Sequence, residues 1–137
     1  MPLMFLTGDG MRGGPLHRHI AGAAFIGERR TAPRYRQHSI RDEFPALAPA
    51  GDGGAAILGE LYDVPMPKLA GLLAREPPEL ELSIVELEAG ELSFGMVLRR
   101  GEDEGRYADI SAHGGWRAYS MTRGSDPPEP PDGPKVP

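Results

Sequence analysis

The chain has 137 residues, a net charge of −5 and no cysteine. Its length suits one domain around a single core. Acids and bases are mixed along it, so no basic stripe points to nucleic acid, and the missing thiols exclude disulfides, thiolate nucleophiles and Cys-ligated zinc. Nineteen glycines and fifteen prolines favour many short elements joined by turns over a helical bundle. No apolar run approaches the roughly 18 residues that span a bilayer. The expected partner is a small-molecule substrate, with no nucleic acid and no membrane. A cytoplasmic location is the simplest expectation.

Residues 2–7 read as an apolar strand that runs into Gly8, Gly10, Gly13 and Gly14, a loop whose backbone is free to take positive φ and to offer amides to a ligand. Gly8-x-Gly10-x-x-Gly13 matches the dinucleotide fingerprint literally. However, Gly14 and Pro15 interrupt the place where its helix must open, and no βαβ pattern follows. A Walker A loop fails too, because no Gly-Lys-Ser or Gly-Lys-Thr is present. Residues 15–20 suit a helical turn with Pro15 first, extendable to about residue 24. Residues 25–31 and 35–40 read as two adjacent strands kinked at Pro33. Residues 41–54, with Pro45, Pro49 and three glycines, read as loop and turn, Asp52-Gly53 being a hairpin signal. Residues 56–64 form a strand with neither face wholly apolar, which suits a central strand near a site.

The clearest helix is residues 67–75, where Leu69, Leu72 and Leu73 share one face and Pro77-Pro78 stops the run. Residues 80–87 and 91–99 read as a hairpin around Glu88-Ala89-Gly90. A charged loop, 101–106, leads to the stretch DISAHGGWRAY at 109–119, which holds the only tryptophan. Residues 1–121 are therefore expected to form one domain. Residues 122–137, rich in proline and charge without an aromatic, are expected to form a disordered tail.

His17 and His19 fall on opposite sides of a helix, and His38 and His113 lack ligand-spaced neighbours, so no metal and no other cofactor are expected. No G-x-S-x-G elbow occurs. A carboxylate acid–base remains. Glu76 stands out because it ends the apolar helix and is pinned by Pro77 and Pro78. Partial desolvation there raises a carboxyl toward the range of a useful base. A solvated helix-end residue is the plain alternative for it.

The segments FLTGDGMRGGPLH, RTAPRYRQHSI, GELYDVP, LLAREPPELELSIVELEAG and DISAHGGWRAY, in that order, resemble the γ-glutamylcyclotransferase-like superfamily. They are most similar to its branch containing the C-terminal domain of allophanate hydrolase. The resemblance implies an α+β fold: a small closed or nearly closed mixed β-barrel with a few packed helices and a cavity at the glycine loop. It also implies that Thr7, Gly8, Asp9, Gly10 and Met11 bind substrate and that Glu76 is the catalytic acid–base. Tyr35, Arg36, Trp116 and Arg117 are expected cavity-wall residues. The family motif Tyr-Gly-x-Leu keeps only Gly8 here. The implied reaction cyclises a γ-glutamyl amine to 5-oxoproline. The branch alternative is action on a small carboxylated urea or amide, for which a loop histidine of that branch is replaced by Gly10. A catalytically inactive binding member is the third reading.

Overall fold

The computed structural model describes residues 2–124. Eight strands form one curled mixed sheet, a half-barrel in which two α-helices complete an α+β fold. The strands are β1 (Leu3–Leu6), β2 (Ala24–Arg30), β3 (Tyr35–Ile40), β4 (Phe44–Pro49), β5 (Leu58–Asp63), β6 (Leu80–Glu86), β7 (Leu92–Leu98) and β8 (Ala108–Asp109); the helices are α1 (Met66–Leu73) and α2 (Trp116–Gly124). The order is β2-β5-β1-β7-β4-β3-β8, with β6 also paired to β7. Among the described residues no helix is long and apolar enough to cross a membrane.

β7 organises the sheet. Its antiparallel hairpin with β6 runs from Leu80↔Leu98 to Glu86↔Leu92 and occupies one side. On the other side β1 pairs in parallel at Phe94 and Gly95, and β4 takes over at Val97. The sheet curls because the far end of β6 returns to β2. Thr31 bridges Leu87, the Ala32 amide donates to the Glu86 carbonyl at 3.0 Å, and the Glu88 amide donates to Arg30 at 2.9 Å.

Strand alternation then sorts the core into an inside and an outside. Phe5, Leu47, Leu61, Val85 and Val97 fill the inside of the curl. Met4, Leu6, Tyr62 and Val64 face outward and are covered by Leu69 and Leu72 of α1. Leu72 is fully buried, which stabilises the helix contact by roughly 1.5–3 kcal/mol.

Several expectations change. The strands at 25–31 and 35–40 exist but are not adjacent, because β2 pairs with β5 while β3 pairs with β4 and β8. Residues 41–54 are not all loop. β4 lies within them, its two prolines flanking Leu47, the one residue paired with β7. Proline is tolerated where no ladder donor is needed. The hairpin turn lies at Arg41 and Asp42, both at positive φ, and not at Asp52-Gly53, which sits in a short 3-10 turn. The turn after Pro15 is a 3-10 turn at His17–Ile20 and no longer helix, since β2 begins at Ala24. Residues 109–119 hold the start of α2, which continues to Gly124. The tail expected from residue 122 therefore starts too early, because residues 122–124 form the last turn of α2; the rest of it lies outside the described residues.

Candidate active site

α1 delivers Glu76 to the site. The Glu76 amide still donates to Leu73 at 3.3 Å, a last helical turn beyond α1, and Pro77 forces the chain out of the helix at that point. β1 delivers the glycine loop from the opposite side. Thr7, Gly8, Asp9 and Gly10 share a narrow pocket of about 30 Å³ with Glu76, floored by Phe5, Phe44 and Met96. Gly8 must be glycine because an added Cβ would lie 2.5 Å from the ring of Pro45. Gly14 must be glycine because its Cβ would run into the Asp9 carbonyl as the loop folds back. The Leu16 amide closes that return onto the same carbonyl at 3.0 Å.

Two carboxyl groups meet in this pocket without a neutralising cation on its walls. Burial pushes the Glu76 carboxyl up to about 7, with the charge of Asp9 adding to the rise. Burial alone raises Asp9. A carboxyl near 7 takes and returns protons at neutral pH with little driving force lost in either direction. The amides of Gly8, Asp9 and Gly10 donate to no partner among the described residues, so they remain available to an oxygen that gains charge in a reaction.

The limb of the loop beyond Gly10 is fixed by a residue that the sequence reading did not single out. Glu60 of β5 is fully buried and faces outward beside Leu6. Its carboxylate accepts from the Arg12 amide at 2.9 Å and from Arg12 Nε at 3.1 Å. It also accepts from the Tyr62 hydroxyl and from Arg117 of α2, both at 3.0 Å. Burial opposes ionisation of Glu60, but these hydrogen bonds outweigh it and hold the carboxyl below its ordinary value. Burial and the bond to Glu60 push Tyr62 up to about 12. Arg117 also donates to the Arg12 carbonyl, which ties α2 to the loop.

The remaining expected wall residues are placed elsewhere. Met11 is buried beside the loop and, with Trp116 and Arg117, lines an open groove between the loop and α2. That groove shares Gly8 and Asp9 with the Glu76 pocket. Tyr35 is buried inside the curl, where its hydroxyl accepts from the Glu86 amide at 2.9 Å. Arg36 pairs with Glu104 at 2.6 Å and lines neither cavity. The structure therefore gathers Glu76 and residues 7–10, sets Met11, Trp116 and Arg117 beside them, and leaves Tyr35 and Arg36 apart.

Comparison with known proteins gives the same architecture. A protein from uropathogenic E. coli, c4763, is 31% identical over 88% of this chain and 95% of its own, with a TM-score of 0.80. Allophanate hydrolase from Kluyveromyces lactis is 25% identical over 89% of this chain, with a TM-score of 0.79, but the match spans only 21% of that enzyme. An AIG2-like protein from Mus musculus shares the fold at 22% identity and a TM-score of 0.62, covering 77% of this chain and 81% of its own. No curated protein matches. The allophanate hydrolase C-terminal domain model matches residues 2–121. The chain therefore belongs to the allophanate hydrolase C-terminal domain family.

Proposed function

We propose that the protein is a γ-glutamylcyclotransferase-like enzyme that cyclises a γ-glutamyl amine to 5-oxoproline and releases the amine. The observation that carries this reading is Glu76, its carboxyl raised to about 7, in one narrow pocket with the unpaired amides of Gly8, Asp9 and Gly10. The neutral α-amine of the substrate attacks the side-chain carbonyl carbon, closing a five-membered ring. Glu76 accepts the proton that the attacking nitrogen loses. The loop amides hold the resulting oxyanion. As the oxyanion collapses, the bond to the departing amine breaks and Glu76 returns the proton to that nitrogen. Tethering of nucleophile and carbonyl in one molecule supplies much of the acceleration.

The family match favours a second reading, hydrolysis or decarboxylation of a small carboxylated urea. Purified protein incubated with a panel of γ-glutamyl amines and with carboxylated urea separates the two. The first reading predicts 5-oxoproline by mass spectrometry. Carbon dioxide or ammonia from the urea alone overturns it in favour of the second. Saturable ligand binding without turnover of either marks a binding member of the family.

A further inference from the structure

The groove beside the glycine loop is wide and open, about 760 Å³, and it meets the Glu76 pocket at Gly8 and Asp9. Unlike that pocket, it carries cationic side chains as well as Asp9. Arg12 and Arg117 line it, both with half-exposed side chains, while the one carboxylate that binds them, Glu60, is buried behind them. Asp9 also lines the groove, at its junction with the pocket, so the two guanidiniums form the cationic end of the groove and Asp9 the anionic one.

Arg12 is held as an anion receptor is held. Its Nε is committed to Glu60, and its guanidinium lies 4.2 Å from the centre of the exposed Phe25 ring. Stacking and the buried bond fix the plane of the group. Its two Nη atoms have no partner among the described residues. A fixed plane with a free pair of N–H donors is the geometry that takes a carboxylate in two parallel hydrogen bonds, at low entropic cost because the side chain is already ordered.

We infer that this groove is the subsite for a carboxylate carried by the substrate, with Arg12 the residue that selects it. The substrate class is then an amide or urea bearing a carboxylate, whose reacting carbonyl reaches past Gly8 and Asp9 to Glu76. Asp9 stands at the junction, so cationic and anionic ends of one molecule are drawn to different places. The inference rests on the acid–base reading for the position of the carbonyl, but it holds for either candidate substrate.

The test uses the full chain and a probe that needs no turnover. N-acetylglycine carries an amide and a carboxylate, and N-acetylglycinamide differs only in lacking the charge. Titration of each is followed through the nitrogen-15 signals of the Arg12 side chain and of the Gly8 and Asp9 amides. The acid is expected to shift both sets of signals, and to bind about tenfold or more tightly than the amide. Arg12→Gln keeps a donor for Glu60, and Arg12→Lys keeps the charge without the fork. Both are expected to lose that preference while their backbone spectra remain folded. Equal binding of acid and amide, no shift at Arg12, or an unchanged preference in both variants overturns the inference. Charge-selective binding without 5-oxoproline from any γ-glutamyl amine upholds the groove and removes the cyclotransferase reading alone.

Discussion

Glu60 is the point at which loop, strand and terminal helix depend on one side chain, and its replacement has a calculable cost. Glu60→Ala removes the acceptor of four hydrogen bonds. The Tyr62 hydroxyl is left buried without its partner, and an unsatisfied buried donor costs about 1–3 kcal/mol. Breaking a wholly buried ion pair costs about 3–5 kcal/mol. Arg12 and Arg117 are half exposed and can turn to water, so the total falls to about 2–4 kcal/mol, a large share of the roughly 5–15 kcal/mol available to a domain. Glu60→Gln keeps the shape and one acceptor and is expected to cost about 1–3 kcal/mol. Because the folded carboxyl lies below its ordinary value of 4.5, its contribution is fully present above that value. It is lost as pH falls below 4.5 through the folded value. Urea unfolding of wild type and Glu60→Gln across this range should show a deficit at neutral pH that closes in acid. Equal stability at neutral pH, or a deficit that does not change with pH, would refute the argument.

Glu76 is expected to behave in the opposite sense. Its folded carboxyl is raised to about 7, so the native state gives up stability as pH rises from 4.5 through 7. Glu76→Gln should therefore be the more stable protein at neutral and alkaline pH, by on the order of 1–3 kcal/mol, and equal to wild type below pH 4, as thermal unfolding at several pH values would show. Gly14→Ala should destabilise by about 1–3 kcal/mol and displace the loop, because the added methyl meets the Asp9 carbonyl. Gly13→Ala meets no atom within 4 Å and costs only the strain of its positive φ. A ranking by denaturation with Gly14→Ala the milder of the two would contradict the loop packing.

Much of the fold was legible because its signals are local. The leucine spacing of α1, the proline stop after Glu76 and the Gly90 turn of the β6–β7 hairpin each sit within a few residues of what they determine. β4 was hidden because Pro45 and Pro49 read as breakers, and only the short contact with β7 at Val97 makes them tolerable. β2 and β3 are close in sequence but lie far apart in the sheet order, since the curl is closed by Thr31 and Leu87. At the site, Glu76 and residues 7–10 could be paired through the family pattern, and the structure does bring them to one pocket. Glu60 could not be singled out, because its partners Arg12 and Arg117 are 48 and 57 residues away. Its only local sign was a charged residue in a strand otherwise rich in apolar side chains.

The central claim is that Glu76 moves the proton in a reaction held by the glycine loop. The pH dependence of kcat/KM for 5-oxoproline formation tests it most directly, measured for wild type and Glu76→Gln on the γ-glutamyl amine turned over fastest. The wild type should show an ascending limb centred near 7. The variant, folded and at least as stable, should lose that limb and about 10²–10⁴ in rate. A Glu76→Gln protein that retains the full rate and the same pH profile would contradict the account.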